Sequence, residues 1–329
     1  SGLYENMNDR QQKGLPTMLM VYLPLVIARW IHFACVFVLF GSSFFWLYAG
    51  RERLSAGPHG LPRTLRATTI LLRIVAPIAA VSGVAWLGLI LINMTKDFGS
   101  VVDPENLRLF FFETPFGAVS ILRLALLAIA VVIAFLPWRG RWRFAALVPV
   151  SAALLITQAW FGHSAEGVGL YRATMIAVYA IHTIAAAAWA GGLPALLFAL
   201  VEQCRFGPSE EARACTLDIC SRFSSMAMVA VTLVVVSGVA NAGFRVAGSF
   251  GKLFGSDYGD VLLKKVAIVA AMLALAYLNR FVLTPKLRAA PLKAMTHITT
   301  LRYSLALDVV LGALVLCASA ILGITMPPQ

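Results

Sequence analysis

The chain has 329 residues, of which 60% are hydrophobic and only 13% are charged. Soluble globular proteins carry roughly 25% charged residues, so this composition excludes an ordinary soluble domain and indicates a protein that crosses a bilayer several times. The net charge of +12 would suggest a nucleic-acid partner in a soluble protein, whereas in a membrane protein excess Lys and Arg set the orientation of the spans. We therefore expect the lipid bilayer, and no nucleic acid, as a partner.

Residues 1–21 form a polar lead-in without the basic, apolar and small-residue order of a signal peptide, and we expect them to lie outside the fold. Eight apolar stretches follow, each long enough to cross a hydrocarbon core of roughly 30 Å. They are residues 22–49, 68–94, 116–136, 143–161, 173–200, 223–245, 260–282 and 300–325. The sequence thus predicts an all-α, polytopic membrane protein with eight transmembrane helices.

The connectors between the spans alternate in charge. Most connector Lys and Arg residues follow spans 1, 3, 5 and 7, as in the cluster of Arg139, Arg141 and Arg143. Acidic residues such as Asp103 and Glu105 concentrate in the other connectors. Because basic connectors stay in the cytoplasm, we expect both termini on the opposite side.

Three short motifs occur twice in the same order, which indicates an internal repeat. They are VSGVA at 81–85 and 236–240, FGAVSILRLA at 116–125 with YGDVLLKKVA at 258–267, and Ile-His followed nine residues later by Gly at 31–41 and 181–191. Four crossings return a chain to its starting side. The halves 22–161 and 162–329 are therefore predicted to be parallel four-helix repeats, related by an axis along the membrane normal.

His32 and His182 occupy equivalent positions in these predicted repeats. Each lies about ten residues from the outer end of its span, or roughly 15 Å deep at 1.5 Å per residue. A lone buried histidine can simply hydrogen-bond across helices, but an ionisable residue inside a membrane is a functional candidate by default. Because the two are related by the repeat, we expect them to face each other across its interface.

Further candidate ligands extend this site. Met175 and His182 are seven residues apart, so they lie on one stripe of span 5; His163 sits in the polar break GHSAEG, and Cys35 lies one turn from His32. Imidazole binds copper in either oxidation state, while thioether and thiolate favour Cu(I). We interpret these five residues as candidate copper ligands, although plain packing is the alternative for Met175 and Cys35.

Other residues within the spans carry structural expectations. Arg123 and its repeat counterpart Lys265 need partners in the membrane, and Asp308 in span 8 is the predicted ion-pair partner. Arg29 is expected to extend its side chain to the interface. The small residues Ala-Gly-Gly at 190–192 predict a close helix crossing.

Two segments resemble the CopD (PcoD) family of bacterial copper-resistance membrane proteins, and the similarity covers nearly all eight spans. The first is the GHSAEG break followed by IHTIAAAAWAGGLPALL; the second is RFSSMAMVAVTLVVVSGVANAG leading to DYGDVLLKKVAIVAAMLALAYLNRFVLTPKL. His163, His182, Trp189, Gly191 and Gly192 match the family's pattern. The resemblance implies an inner-membrane protein that moves copper ion and receives it from a periplasmic CopC-type carrier. The lead-in is too short for a β-sandwich of about 100 residues, so we expect that carrier to be a separate protein.

Copper transport without catalysis, in the direction of uptake, is the main hypothesis. The first alternative is a b-type haem protein, either an electron carrier or a haem-modifying enzyme of the heme A synthase kind, which also uses paired four-span halves. Each half supplies one buried histidine rather than two, which disfavours haem. The second alternative is a membrane chaperone that holds copper without moving it.

Overall fold

A computed structural model describes residues 2–50, 61–138, 141–161, 168–206, 209–246 and 255–325. All the regular secondary structure in these ranges is helical. The helices are α1 (Gly2–Tyr48), α2 (Pro62–Thr95), α3 (Pro104–Glu113), α4 (Gly117–Phe135), α5 (Trp142–Thr157), α6 (Gly169–Ala190), α7 (Leu193–Gln203), α8 (Glu210–Val246), α9 (Asp257–Leu278), α10 (Thr284–Ala289) and α11 (Ala294–Leu322).

The eight predicted spans are confirmed in the described residues. The apolar helical segments are Tyr22–Tyr48, Pro62–Thr95, Gly117–Phe135, Trp142–Phe161, Gly169–Gln203, Glu210–Arg245, Asp257–Ala289 and Ala294–Leu322. The largest boundary difference is in the sixth span, which begins at Glu210 rather than at residue 223. Hydropathy detects only the part of a helix that lies in hydrocarbon, so a polar first segment such as this one escapes it.

A short helix that the sequence analysis did not predict, α3, lies at one end of the bundle, and we name this end the α3 end. Asp103 accepts a hydrogen bond from the backbone N–H of Glu105 and so caps the helix. Phe110 is buried against Leu87 and Leu91 of α2. The helix is thereby fixed to the bundle by its apolar face.

Helix α1 is central, because it packs against α2, α5, α6, α7 and α11. Its crossing with α6 is close: a Cβ atom at Gly41 would overlap the backbone of Ala187 and Gly191, and one at Gly191 would overlap the backbone of Phe37. The close crossing predicted from Ala-Gly-Gly is therefore confirmed. The contacts are also reciprocal, since residues 37 and 41 meet residues 187 and 191 at a constant spacing of 150. Such self-complementary contact is what a two-fold axis between the halves produces, and it supports the predicted repeat.

A buried carboxylate joins the two halves at the opposite end of the bundle. Glu202 of α7 is 2% exposed and accepts hydrogen bonds from the backbone N–H groups of Arg63 and Thr64 at 3.1 and 2.7 Å. It also accepts one from the Thr64 hydroxyl at 2.6 Å. Helix α2 has no side-chain cap of its own. Glu202 therefore satisfies its first N–H groups from the other half and places a negative charge at the positive end of the helix.

The crossing generates a stability prediction. Gly41→Ala should destabilise the protein by about 2 kcal/mol or more, because the methyl group has no space without separating α1 from α6. Gly243→Ala is the matched control, since nothing lies within 4 Å of a Cβ atom there. Thermal unfolding in detergent should show a lower midpoint for Gly41→Ala and little change for Gly243→Ala. Equal midpoints would contradict the crossing.

Candidate functional site

His32 is completely buried, and both of its ring nitrogens have partners. Its Nδ1 lies 2.9 Å from the carbonyl oxygen of Ala79. A carbonyl can only accept, so Nδ1 carries the proton and donates it, and Nε2 keeps a lone pair. Arg123 donates to that lone pair from Nη2 at 2.6 Å. In this arrangement His32 has no lone pair left for a metal.

Arg123 is 1% exposed and is held by α5 as well as by His32. Its Nη1 donates to the carbonyl of Leu154 at 2.8 Å and to the hydroxyl of Thr157 at 2.7 Å. Its guanidinium carbon lies 5.3 Å from the ring centroids of both Trp86 and Phe161. The five-donor, planar guanidinium suits this set of acceptors and rings.

The predicted ion pair between Arg123 and Asp308 is wrong. Arg123 uses neutral acceptors instead, because carbonyl and imidazole lone pairs lie within reach on α1 and α5. Asp308 is 2% exposed, and its Oδ1 has no hydrogen-bond partner among the described residues.

His182 has one engaged nitrogen. Its Nδ1 lies 3.2 Å from the carbonyl oxygen of Val234 and 3.1 Å from the Ser237 hydroxyl oxygen. Ser237 donates its own proton to the carbonyl of Leu233, so Nδ1 is the donor to both oxygens. Nε2 then keeps its lone pair, for which the described residues provide no hydrogen-bond partner.

The two histidines have matching surroundings. Each ring lies against a glycine, since a Cβ atom at Gly83 would be 3.0 Å from His32 and one at Gly238 would be 3.3 Å from His182. Ser82 and Ser237, which precede these glycines, both donate to the carbonyl four residues earlier. The two VSGVA motifs thus provide similar packing surfaces for the two imidazole rings.

The surroundings differ on the other side of the rings. In the first half α2 packs against α4, and Arg123 fills the space beside His32. In the second half α8 and α9 make at most marginal direct contact within the described residues. A cavity of about 420 Å³ lies there, lined by residues of α1, α6, α8, α9 and α11. His182 lines this cavity, and so does Lys265, the counterpart of Arg123.

The histidines do not form a shared site in this structure. His32 contacts α2 and α4, whereas His182 contacts α8, and no hydrogen bond or ring contact joins them. His32 is also absent from the lining of the cavity. In the part of the chain that the structure describes, no group of three or more His, Cys, Asp and Glu side chains could hold a metal ion.

The other predicted ligands lie apart from His182. Met175 is buried two turns away on α6, and Cys35 is a free, buried thiol in the main apolar core; neither lines the cavity. His163 lies outside the described residues, as does the rest of the GHSAEG break at 162–167.

Two arginines line the cavity, and the sequence analysis assigned neither of them to a site. Arg29 is 7% exposed and stacks over Phe33 and Trp86, at 5.1 and 5.5 Å from the ring centroids. It does not extend to the interface as predicted. Arg245, in the last turn of α8, lines the cavity and donates to the Tyr258 hydroxyl at 3.4 Å. The aromatic residues near Arg29, Phe33 of α1 and Trp86 of α2, were the only feature of the sequence that could have indicated its buried position.

Two family profiles match this chain. The profile described as "Copper resistance protein D-like, N-terminal domain" matches residues 18–173. The profile described as "Copper resistance protein D" matches residues 217–322. The matched segments include α1 with His32 and α8 with the second VSGVA motif, and His182 lies between them.

Similar proteins come from three bacteria. "Copper resistance protein D" of Pseudomonas syringae pv. tomato is 31% identical over 93% of this chain and 97% of its own length. "Copper transport protein CutJ" of Bacillus subtilis is 28% identical over 72% of this chain, which spans only 42% of that protein. "Inner membrane protein YebZ" of Escherichia coli is 28% identical over 80% of this chain and 85% of its own length. No solved structure matches this chain significantly.

The Arg123 network predicts a large loss of stability on removal of the guanidinium. Arg123→Met deletes three hydrogen bonds worth about 0.6–1.7 kcal/mol each in a membrane interior, so we expect a loss of about 2–5 kcal/mol. Arg73→Met is the control, because Arg73 makes one hydrogen bond, to the carbonyl of Ala134, and should cost about 1 kcal/mol. Thermal unfolding in detergent compares the two. Similar losses would show that the His32 network is not specially stabilising.

Proposed function

Because this chain belongs to the copper resistance protein D family of multi-pass inner-membrane proteins, we propose that it transports copper ion across the membrane, with His182 as the central ligand. The names of two relatives, a copper resistance protein and a copper transport protein, support handling of copper. A transport protein, rather than an enzyme, fits these names. Direction and site are our proposals.

The observation that carries the site is the free lone pair of His182. A histidine that binds a metal through one nitrogen usually donates its other N–H to a carbonyl or another acceptor, which fixes the ring and raises its basicity. The Nδ1 of His182 is held in this way by Val234 and Ser237, and the residue lines the cavity. Imidazole is a suitable ligand for either copper oxidation state.

We propose that copper enters from the periplasmic side. The basic connectors orient both termini, and therefore the GHSAEG break, towards the periplasm under the positive-inside rule. His163 captures the ion in this proposal, and Met175 passes it to His182, two turns or about 10 Å further along α6. In this proposal a periplasmic CopC-type carrier supplies the ion. Several moderate sites in series allow the ion both to bind and to leave.

In this proposal His32 and Cys35 bind copper only after the structure rearranges. His32 can bind copper only when Arg123 leaves its Nε2, because that nitrogen has a single lone pair. Cys35 can act as a third donor only when its thiol leaves the apolar core. The closed first half therefore contributes ligands after a rearrangement of α4, and the second half contributes His182 without one.

Transport assays can test the role of His182. Copper uptake into proteoliposomes should fall by at least about 100-fold in His182→Ala, since loss of an outer-shell partner alone costs about 10–100-fold. Ser237→Ala, which removes such a partner, should lower uptake or affinity by about 10-fold. Ser225→Ala is the control, because Ser225 is an exposed serine of the same helix that bonds only to the Ser221 carbonyl. Wild-type uptake in His182→Ala would refute the site, and binding without uptake in the wild type would indicate a copper-holding chaperone.

Haem binding is the second candidate, and the cavity itself favours it. His182 could supply one axial bond, and the three cations of the cavity, Arg29, Arg245 and Lys265, would suit two carboxylates. Among the described residues no second histidine lines the cavity, and His32 is bonded to Arg123. Absorption spectra of the purified protein discriminate between the candidates. We expect no Soret band; a stoichiometric Soret band that disappears in His182→Ala would replace copper transport by a haem function.

A further inference from the structure

We propose that the cavity between α8 and α9 binds one anionic phospholipid, with an acyl chain between the two helices and the phosphate against Arg29, Arg245 and Lys265. This inference concerns a lipid site and does not depend on the transport of copper. It rests on the charge of the lining, on an unpartnered buried donor, and on the shape of the cavity.

All the charged side chains among the described residues that line the cavity are positive. Arg29, Arg245 and Lys265 all line the cavity, and no Asp or Glu is among its described lining residues. None of the three forms a salt bridge with another described residue. Cations in a membrane protein normally pair with acids or carbonyls or mark a ligand pathway. Three without an acid therefore call for an anion from outside the described chain.

Arg29 has a buried hydrogen-bond donor without an acceptor among the described residues. The residue is 93% buried, and its Nε has no hydrogen-bond partner in the described structure. Its guanidinium rests on the rings of Phe33 and Trp86 and lies against Gly323, none of which offers a side-chain acceptor. A buried donor of this kind destabilises the structure when it is left unpaired. A phosphate oxygen would supply the missing acceptor.

The remaining walls are apolar and are open towards the lipid. Leu262, Val266 and Val269 of α9 face Val235 and Val239 of α8 across the cavity. Val239 and Val266 are 67% and 56% exposed, so this part of the lining reaches the surface of the bundle. A volume of about 420 Å³ lies within the range of about 300–1,000 Å³ for small-molecule sites. An acyl chain suits such walls, whereas a free inorganic anion does not.

The cations lie within about 12 Å of the outer ends of their apolar spans, as measured along each helix. Arg245 ends α8 at the α3 end of the bundle. Lys265 is eight residues, or about 12 Å, from the start of α9, and its long side chain can reach back towards the interface. Arg29 is seven residues, or about 10 Å, from Tyr22. Because all three cations line the same cavity, the proposal places one phosphate near Arg245, within reach of the side chains of Arg29 and Lys265, with its chain descending towards His182.

Native mass spectrometry of the full-length, copper-free protein can test the proposal, with phosphatidylglycerol and phosphatidylcholine of identical chains as probes. We expect selective retention of phosphatidylglycerol. Lys265→Gln should weaken it by at least about fivefold, the effect of about one interfacial cation. Lys264→Gln is the matched control, since Lys264 is exposed and does not line the cavity. Ala242→Phe, which fills the apolar part without changing charge, should also weaken binding.

Three results would overturn the proposal. Equal retention of both lipids would remove the role of charge, and equal effects of Lys264→Gln and Lys265→Gln would assign it to the surface. Stoichiometric haem that is lost in Lys265→Gln would make haem the occupant instead. Lipid retention should persist in His182→Ala, the variant expected to lose copper uptake. Failure of the lipid site is therefore distinguishable from failure of the transport proposal.

Discussion

The membrane interior offers no water to unpaired polar groups, so each buried charge must find its partners within the protein or in a ligand. Arg123 meets this constraint with the carbonyl of Leu154, the Thr157 hydroxyl and the lone pair of His32. The hydrogen bonds of Arg123 join α4, on which it lies, to α1 and α5. The space beside His32 is filled because the hydrogen-bond donors of Arg123 find acceptors within the protein.

The predicted second repeat also places a glycine against its histidine ring, but no arginine bonds to that histidine within the described residues. Gly238 lies against the ring of His182 as Gly83 lies against the ring of His32. Ser237 also accepts a hydrogen bond from His182, whereas the Nδ1 of His32 donates to the carbonyl of Ala79. Lys265 occupies the position that the predicted repeat aligns with Arg123. A guanidinium can bond several acceptors in one plane, whereas an ammonium is a compact charge on a flexible stem. The exchange of Arg for Lys accompanies a gap between α8 and α9, and it leaves both His182 and Lys265 facing a cavity.

The sequence contains enough information for the spans and for the close helix crossing. Apolar length alone identifies eight membrane helices, and Ala-Gly-Gly identifies where α1 approaches α6. The partner of Arg123 could not be predicted, because a basic residue in a span suggests an acid by charge, whereas the choice of neutral acceptors depends on helix packing. The cap that Glu202 places on α2 joins residues about 140 positions apart and has no local pattern. The roles of Met175, Cys35 and His163 as copper ligands remain predictions, because no contact of the described residues tests them.

The cations of the cavity also constrain how copper can use it. A unit charge at about 10 Å from a bound cuprous ion would cost about 1.7 kcal/mol at an effective dielectric constant of about 20. Arg29, Arg245 and Lys265 together would therefore disfavour a bare cation beside His182 by several kcal/mol. The single negative charge of a phosphodiester held by the same three side chains would offset about one third of this repulsion while leaving the lone pair of His182 free. A lipid in the cavity would then act as a partial counter-ion for the metal path, so that anionic lipid content, as well as the ligand set, would affect copper binding.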